Sequence, residues 1–386
     1  MNTYARLPVA FDRGSGAWLW DKNGKKYLDA LSGIAVCGLG HAHPAVAEAI
    51  CDQAQRLVHT SNLFEIPLQT QLAAELTTLA GMDSAFFGNS GAEANEAAIK
   101  IARLWGHKRG IKQPVIVVME NAFHGRTLAT LTATGNRKVQ AGFEPLVKGF
   151  VRVPYGDTEA LETVAQNTPN VVAVLLEPIQ GEGGIRIPDA PYLNEVRELC
   201  NRHEWLMMLD EIQSGTARTG QMFAFQHAGI TPDVLTVAKG IANGFPIGAC
   251  LARGEAATTF QPGNHGSTFG GNPLACRVAL TTLRIVQEED LPSRATALGE
   301  RMLSGFEQAL DGIPAVTSIR GMGLMLGIEL NRPCGELVAK ALDNGLLINV
   351  TSQQVIRLLP PLIISDDEAD QIVDGVSRVV RDFAAS

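Results

Sequence analysis

Several short segments of this chain are apolar at nearly every position rather than at every second one. The clearest are VIVVM at 115–119, VVAVLL at 171–176 and WLMML at 205–209. A strand with such a continuous apolar run is buried on both faces, as in a parallel sheet covered by helices. Amphipathic segments such as Gly91–Gly106 and Pro191–His203 alternate with these runs, which is typical of α/β architecture. The sequence therefore predicts a mainly parallel sheet covered by helices.

We expect strands of this sheet between residues 45 and 270, at Pro114–Met119, Asn170–Glu177, Trp205–Asp210, Asp233–Ala238 and Ile247–Ala252. Two long helical patterns, several short strands and a closing helix follow, which predicts a smaller α+β domain at the C-terminus. We therefore predict a large domain over 45–272 and a small domain over 273–386. The segment 1–44 is expected to pack with the small domain.

Composition restricts the class of protein. The net charge of −8 argues against nucleic acid or an anionic membrane as a bulk partner. The six cysteines lie far apart, and His41 and His43 are flanked by glycine and proline, so we expect a turn there and no metal site. No segment is typical of a secretory signal, and none is apolar over the roughly 18–20 residues of a membrane span. We expect a cytoplasmic protein.

The segment GNSGAEANE at 88–96 predicts the start of a helix. Ser90 followed by Glu93 is a capping box, and Gly91 and Ala92 leave backbone N–H groups uncovered at the positive end of the helix. Such a helix start binds phosphate readily. Taken alone, however, the segment favours an ordinary helix cap.

Two charged residues stand at the ends of predicted strands. Asp210 ends the strand Trp205–Asp210, and Lys239 follows the strand Asp233–Ala238 beside a glycine. Ligands of open α/β sheets bind at the carboxyl ends of the strands. Each residue alone has a simpler explanation, which is a helix or turn cap for the aspartate and an exposed amine for the lysine. A desolvated lysine, in contrast, is a nucleophile that bonds covalently to aldehydes.

Together, the helix start and the two charged residues match the needs of one cofactor, pyridoxal 5'-phosphate. The lysine would hold its aldehyde, the aspartate would pair with its protonated ring nitrogen, and the helix N-terminus would bind its phosphate. Phe123 follows another predicted strand, where it would either stack on the ring or pack in the core. We therefore predict a site for this cofactor.

The chain resembles the class III pyridoxal-phosphate aminotransferases of fold type I over nearly its whole length. The matching blocks include SGAEANEAAIK at 90–100, NAFHGRT at 121–127, EPIQGEGG at 177–184, LDEIQSG at 209–215, AKG at 238–240, HGSTFGGNPLAC at 265–276 and RLLPPLIIS at 357–365. So many ordered blocks leave little room for chance. The resemblance implies the α/β architecture of that fold type, with a mainly parallel sheet and a smaller α+β domain.

The resemblance also implies a role for each residue that matches a family motif. The cofactor-binding set is Ser90, Gly91, Ala92, Phe123, Asp210, Glu211, Ile212, Gln213, Lys239 and Thr268. Lys239 and Asp210 would be catalytic, with Lys239 carrying the cofactor and moving the proton. Gln213 would reach the phenolic oxygen of the ring. Thr268 would reach the cofactor of a neighbouring subunit, which implies a homodimer with shared active sites.

Four residues are expected at the substrate from the same resemblance: Arg126, Glu182, Ser267 and Arg357. The two arginines would bind substrate carboxylates, since a planar guanidinium suits a carboxylate. Glu182 would pair with Arg357 when an ω-amino substrate is present and move away for glutamate. Without the resemblance, Arg357 would be interpreted as part of an exposed salt bridge.

The activity that the resemblance implies is transamination of N2-acetyl-L-ornithine with 2-oxoglutarate. The products would be N-acetylglutamate 5-semialdehyde and L-glutamate, in arginine biosynthesis. N-succinylornithine, ornithine and 4-aminobutyrate are alternative donors, because the enzymes that use them share most of the motifs. An aminomutase or racemase of the same fold and a non-catalytic cofactor-binding regulator are more distant alternatives.

Overall fold

The computed structural model describes residues 1–385, which form a seven-stranded sheet and two four-stranded sheets. The strands are β1 (Phe11–Ser15), β2 (Trp18–Asp21), β3 (Lys26–Asp29), β4 (Ser84–Gly88), β5 (Val115–Met119), β6 (Phe150–Val153), β7 (Val171–Leu176), β8 (Leu206–Asp210), β9 (Val234–Val237), β10 (Gly248–Ala252), β11 (Val316–Met322), β12 (Met325–Leu330), β13 (Leu346–Leu347), β14 (Asn349–Thr351) and β15 (Val355–Leu358). The α-helices are α1 (Ser32–Ala35), α2 (Pro44–Arg56), α3 (Pro67–Ala80), α4 (Gly91–Lys108), α5 (Leu128–Ala133), α6 (Arg137–Gln140), α7 (Thr158–Asn167), α8 (Tyr192–His203), α9 (Gly254–Ala257), α10 (Pro273–Glu288), α11 (Leu291–Ala309), α12 (Leu337–Asp343) and α13 (Asp366–Ala384). Two 3-10 helices cover Ala224–Ala228 and Lys239–Ala242. None of the helices in this part of the chain is long and apolar enough to cross a membrane.

The large sheet has the strand order β4-β10-β9-β8-β7-β5-β6. The strands from β9 to β6 are parallel to their neighbours, whereas β10 is antiparallel to both β9 and β4. Every residue of β7 and β8 is buried, which explains their continuous apolar sequences. The predicted mainly parallel sheet is thus confirmed. The sequence does not predict the strands β4 and β6 at its two edges, nor the reversed direction of β10.

The C-terminal part of the chain contributes strands to both smaller sheets. One is antiparallel, with the order β11-β12-β15-β14. In the other, β13 pairs in parallel with β3, and Leu346 lies opposite Leu28. This pairing joins the N-terminal strands to the C-terminal part of the chain.

One apolar core extends through both parts of the molecule. It includes Leu209 of β8, Leu326 of β12 and Val376 of α13. The helix α10, where the predicted small domain begins, packs against α2, α3 and the 3-10 helix that begins at Lys239. The division of the chain at residue 272 stays a prediction, and the packing of α10 favours a boundary after this helix.

The capping box predicted at the start of α4 is only half formed. Ser90 Oγ accepts a hydrogen bond from the Glu93 N–H at 3.2 Å, as predicted. The Glu93 carboxylate, however, accepts hydrogen bonds from the backbone N–H and the side-chain amide of Asn89 rather than from Ser90. The carboxylate therefore fixes the loop one residue earlier than the capping-box pattern specifies.

His41 anchors the N-terminal segment. Its Nε2 lies 2.8 Å from Asp29 Oδ2, and its backbone forms two hydrogen bonds with Gly16. The hydrogen bond to Asp29, followed by one to Cys37, raises the pKa of His41 to about 9, against the effect of burial. The segment around His41 is thus a turn fixed by an ion pair.

Replacement of His41 by glutamine is expected to remove a pH-dependent part of the stability. Because the pKa of His41 in the folded chain lies above its ordinary value of 6.5, the stabilisation is complete below 6.5 and is lost as the pH rises through about 9. We expect His41→Gln to cost about 2 kcal/mol near pH 6 and much less near pH 10. Thermal unfolding of both proteins at the two pH values checks this. An equal difference in stability between the two proteins at both pH values would contradict this prediction.

Candidate active site

A cavity of about 400 Å³ opens at the carboxyl ends of the parallel strands. Its wall is built where the chain leaves β4, β5, β7, β8 and β9, which is where open α/β sheets bind ligands. Nine residues predicted at the site line it: Ser90, Gly91, Ala92, Phe123, Arg126, Asp210, Ile212, Gln213 and Lys239.

The start of α4 forms one end of the cavity. Ser90, Gly91 and Ala92 line it, and the first N–H groups of a helix have no partner within the helix. A Cβ atom on Gly91 would lie 2.6 Å from Ile212 Cδ1, so a larger residue would require the Ile212 side chain in the loop after β8 to shift. The eighteen-residue helix therefore presents bare backbone at its positive end, which suits a phosphate.

The buried carboxylate of Asp210 is held by three hydrogen-bond partners. Its Oδ2 lies 2.8 Å from Asn95 Nδ2 of α4 and 2.8 Å from His124 Nδ1, in the loop after β5. Its Oδ1 accepts a hydrogen bond from the Ile212 N–H at 3.1 Å. Asn95 is itself fixed, because its Oδ1 accepts a hydrogen bond from Thr236 Oγ1 at 2.8 Å. A carboxylate is costly to bury without such partners, and they hold Asp210 in the cavity wall.

Lys239 follows β9 as the first residue of a 3-10 helix, with a φ of 47°. Residues other than glycine rarely adopt this left-handed conformation, and such strain is common at functional sites. Burial lowers the pKa of Lys239 to about 8, against the attraction of Glu182, Asp210 and Glu177. A substantial fraction of the amine is therefore neutral near physiological pH, as a nucleophile requires.

Glu177, just after β7, is a second buried carboxyl group in the cavity wall. It accepts hydrogen bonds from the backbone N–H groups of Phe123 at 3.0 Å and Gly181 at 3.3 Å. Burial, followed by repulsion from Asp210, raises the pKa of Glu177 well above its ordinary value. Glu177 therefore fixes the backbone that carries Phe123.

Glu182 and Arg357 meet beside Gln213. Arg357 Nη1 lies 2.6 Å from Glu182 Oε1 and donates to Gln213 Oε1 at 3.2 Å. The Arg357 side chain is 1% exposed and that of Glu182 is 34% exposed. Burial raises the pKa of Glu182, but the attraction of Arg357 outweighs it, so that the pKa lies below its ordinary value. Arg357 is thus a buried cation covered by a glutamate, and not part of an exposed salt bridge.

Arg126, Ser267 and Thr268 lie at the edge of the site. Arg126 is exposed, with its guanidinium carbon 5.8 Å from the centre of the Phe123 ring. Ser267 Oγ lies 3.2 Å from the amide nitrogen of Asn89, which lines the cavity. Thr268 is exposed and lies outside the residues that line the cavity of its own chain.

Glu211, which the sequence predicts to bind the cofactor, is not among the residues that line the cavity. Its carboxylate accepts hydrogen bonds from the N–H groups of Ala224 and Phe225, at 2.8 Å each, and from Ser214 Oγ at 2.9 Å. These contacts hold the 3-10 helix Ala224–Ala228 against the loop after β8. Burial raises the pKa of Glu211 to about 7 despite these hydrogen bonds. The Glu211 side chain thus fixes the backbone around it, and a contact of Glu211 with the cofactor stays a prediction.

Four polar residues at the site have no role predicted from the sequence, which are Asn89, Asn95, His124 and Glu177. All four stand within segments whose motifs predict a site. A matching segment does not show which way each side chain points. For His124 a signal was present, because a buried Asp210 requires a hydrogen-bond donor nearby.

The donor set of the cavity fits pyridoxal phosphate. The bare backbone at the start of α4 suits its phosphate, the fixed Asp210 carboxylate suits a protonated ring nitrogen, and the Lys239 amine suits an aldehyde. A cavity of about 400 Å³ is within the size range of sites for small ligands. Residues of this chain therefore account for each polar end of the cofactor.

Comparisons with known proteins agree over the whole chain. A family model described as aminotransferase class-III matches residues 1–380. The acetylornithine aminotransferase of Nitrosomonas europaea is 58% identical over 386 residues, which cover 100% of this chain and 98% of that protein. The crystal structure of the ornithine aminotransferase of Toxoplasma gondii has a TM-score of 0.96 at 36% identity, covering 100% of this chain and 93% of that chain. The acetylornithine aminotransferase of Elizabethkingia anophelis has a TM-score of 0.89 at 37% identity, covering 99% and 96%.

Lys239 is expected to react with pyridoxal phosphate faster as the pH rises, because its pKa is about 8. The neutral fraction of such an amine rises roughly fivefold from about pH 7 to 8 and only about twofold above that. The initial rate of attachment to the apoprotein, trapped with borohydride and located by peptide mass, checks this. Ordinary lysines, with a pKa near ~10.4, gain roughly tenfold per unit across this range. A tenfold rise per pH unit at Lys239 would contradict its lowered pKa. The Lys239→Ala protein is the control, because it lacks the reacting amine.

Proposed function

The chain belongs to the class-III aminotransferase family, and we propose that it transfers the ω-amino group of N2-acetyl-L-ornithine to 2-oxoglutarate. The products are N-acetylglutamate 5-semialdehyde and L-glutamate, in the pathway of arginine biosynthesis. The observation that carries this proposal is the convergence of Lys239, Asp210 and the start of α4 on one cavity, with Arg357 and Glu182 beside it. The relative at 58% identity, named acetylornithine aminotransferase, supports this choice of amino donor.

Pyridoxal phosphate is the cofactor of this family, and when bound it withdraws electrons from the substrate carbon that carries the amino group. In this chain the start of α4 would bind its phosphate. Asp210 would pair with its ring nitrogen, and Gln213 would reach its phenolic oxygen. Phe123, whose backbone is held by Glu177, would cover one face of the ring.

We assign the proton transfer to Lys239 Nζ. The neutral amine would take a proton from the substrate carbon that carries the nitrogen, and the protonated amine would return it to the carbon on the other side of that nitrogen. With a pKa of about 8, the amine gains and loses a proton near neutral pH at little cost. Burial in the cavity wall, which lowers this pKa, also limits the access of water to the amine.

The two half-reactions require one cavity to accept two kinds of substrate. An ω-amino donor has no carboxylate beside its reacting amine, and Glu182 then stays paired with Arg357, as in this structure. Glutamate and 2-oxoglutarate carry such a carboxylate, which would replace Glu182 on the buried guanidinium. Arg126, exposed at the mouth, would bind the carboxylate at the other end of the substrate.

Ornithine is the second candidate for the amino donor, because the solved structure with a TM-score of 0.96 is an ornithine aminotransferase. Its lower identity, 36% against 58%, ranks it behind N-acetylornithine. N-succinylornithine and 4-aminobutyrate stay as further alternatives. The cytoplasmic location expected from the sequence also stays a prediction.

We further propose that two copies of the chain form a homodimer with shared active sites. Large apolar side chains are exposed in the segments beside Thr268, where Leu63 is 88%, Phe64 68% and Phe269 60% exposed. Exposed apolar patches of this kind are typical of interaction sites. The Asn62 amide joins the two segments by hydrogen bonds to backbone carbonyls on either side of Thr268. A partner on this patch would bring its own Thr268 towards the cofactor phosphate.

A panel of amino donors tests the proposed reaction. With 2-oxoglutarate as acceptor, we expect kcat/KM for N-acetylornithine to exceed that for ornithine by about tenfold or more. N-succinylornithine and 4-aminobutyrate should also be poorer donors. Lys239→Ala should lower the rate by about a thousandfold or more, because it removes the proton-transferring amine. A higher kcat/KM with 4-aminobutyrate than with N-acetylornithine would overturn the proposed substrate assignment. A normal rate in Lys239→Ala would overturn the proposed role of Lys239 in proton transfer.

A charge placed in the apolar patch tests the homodimer. Leu63→Asp combined with Phe64→Asp should convert a particle of two 41.2 kDa chains into single chains, as measured by light scattering. The activity should fall with the fraction of dimer, because Thr268 then has no partner site to reach. Phe143→Asp, at an exposed residue outside the patch, is the matched control. A wild-type protein that runs as a single chain would refute the proposal.

A further inference from the structure

Arg357 has a third hydrogen-bond partner, Asn349, which has no role in the proposed reaction. Its Nη2 donates a hydrogen bond to Asn349 Oδ1 at 2.8 Å, while Nη1 contacts Glu182 and Gln213. Asn349 stands on β14 directly opposite Arg357 of β15, in an antiparallel pair. Because directly opposed residues on one face of a sheet are close neighbours, the strand register itself produces this contact.

The partners of the guanidinium differ in charge and in exposure. Glu182 carries a charge that a substrate carboxylate can replace, and its side chain is 34% exposed. Asn349 offers an amide oxygen, which accepts a hydrogen bond without neutralising the cation. The neutral amide of Asn349 on Nη2 therefore orients Arg357, and the carboxylate of Glu182 on Nη1, which a substrate can replace, neutralises it.

The same hairpin restricts how Glu182 can leave. Thr351 Oγ1 and Ser352 Oγ donate hydrogen bonds to the Glu182 carbonyl oxygen, at 2.5 Å and 3.2 Å. These contacts hold the main chain of Glu182 and leave its carboxylate to move by side-chain rotation. Rotation of the carboxylate alone therefore leaves the contacts between the Glu182 main chain and the hairpin that carries Asn349 unchanged.

One hydrogen-bond donor of Arg357, the Nε–H group, is not used by these partners. Its Nε is buried and has no hydrogen-bond partner among residues 1–385. Nε lies on the edge of the guanidinium beside Nη2, so the hydrogen bond from Nη2 to Asn349 is the contact that orients this edge. Once Glu182 has left Nη1, the orientation of the guanidinium plane therefore depends more strongly on Asn349.

We propose that Asn349 is a positioning residue for Arg357, specific to the half-reaction that uses glutamate or 2-oxoglutarate. It holds the guanidinium plane after Glu182 has left, and its neutrality keeps the full charge of Arg357 available to the substrate. This inference rests on the proposed function, because it concerns the acceptor half of that reaction. In the donor half, Glu182 occupies Arg357, and the contribution of Asn349 is small.

Two variants of the holoenzyme test this, with each half-reaction followed by the absorbance of the cofactor. In Asn349→Asp a permanent negative charge competes with the substrate, so KM for 2-oxoglutarate should rise about tenfold or more with kcat within about twofold. In Asn349→Ala the orientation is lost, and KM should rise about three- to tenfold. The half-reaction with N-acetylornithine should change by less than about twofold in both. Asn344→Asp adds the same charge at an exposed position and is the matched control.

Binding of glutarate, an unreactive dicarboxylate, to each holoenzyme by calorimetry gives a second measure, and its Kd should rise in parallel with KM. Unaltered cofactor absorbance and thermal unfolding show that a variant is folded, and Asn349→Ala decides the question if Asn349→Asp does not fold. Equal losses in both half-reactions, or an unchanged KM for 2-oxoglutarate, would overturn the inference. A wild-type enzyme that performs neither half-reaction would instead overturn the proposed function.

Discussion

The rest of the site depends on the buried carboxylate of Asp210. It stands at the carboxyl edge of the sheet, where water is largely excluded, so its free energy is acceptable only with donors on its oxygens. Those donors are Asn95 on α4 and His124 after β5, and Thr236 on β9 fixes Asn95 in turn. Loss of one donor would leave a buried charged group without its partner, which costs more than an exposed contact. One carboxylate thereby sets the relative positions of four elements that line the cavity.

The net charge of the chain and the local charges of the site favour different ligands. The net charge of −8 disfavours polyanions, whose binding depends on many cations spread over a surface. A small anion, such as a phosphate or a carboxylate, requires only a few donors in a low-dielectric place. The buried Arg357 and the start of α4 supply these within an acidic molecule. The acidic composition therefore does not conflict with a site that binds anions.

The sequence predicts five strands of the large sheet and the meeting of Lys239 with Asp210, because continuous apolar runs require burial and parallel strands end at one edge. It does not predict the reversed direction of β10, since hydrophobic periodicity is the same in both directions. It also does not predict the hydrogen bonds of Glu211 to the N–H groups of Ala224 and Phe225, because a motif places a residue in a loop without giving its side-chain torsions. The contact between Glu93 and Asn89 depends on loop geometry, which the capping-box pattern leaves open. Burial was therefore easier to predict than orientation.

The continuous apolar core has a mechanical consequence for substrate exchange. A hinge motion between the large sheet and the C-terminal sheets would separate Leu209 and Leu326 from their common cluster and expose apolar surface to water. The proposed exchange at Glu182 would need no such motion, since rotation about a few side-chain torsions would release Arg357. Such a rotation leaves the apolar core closed. Under this proposal the scaffold stays rigid while one side chain moves, so that the choice between two substrates would not expose the core to water.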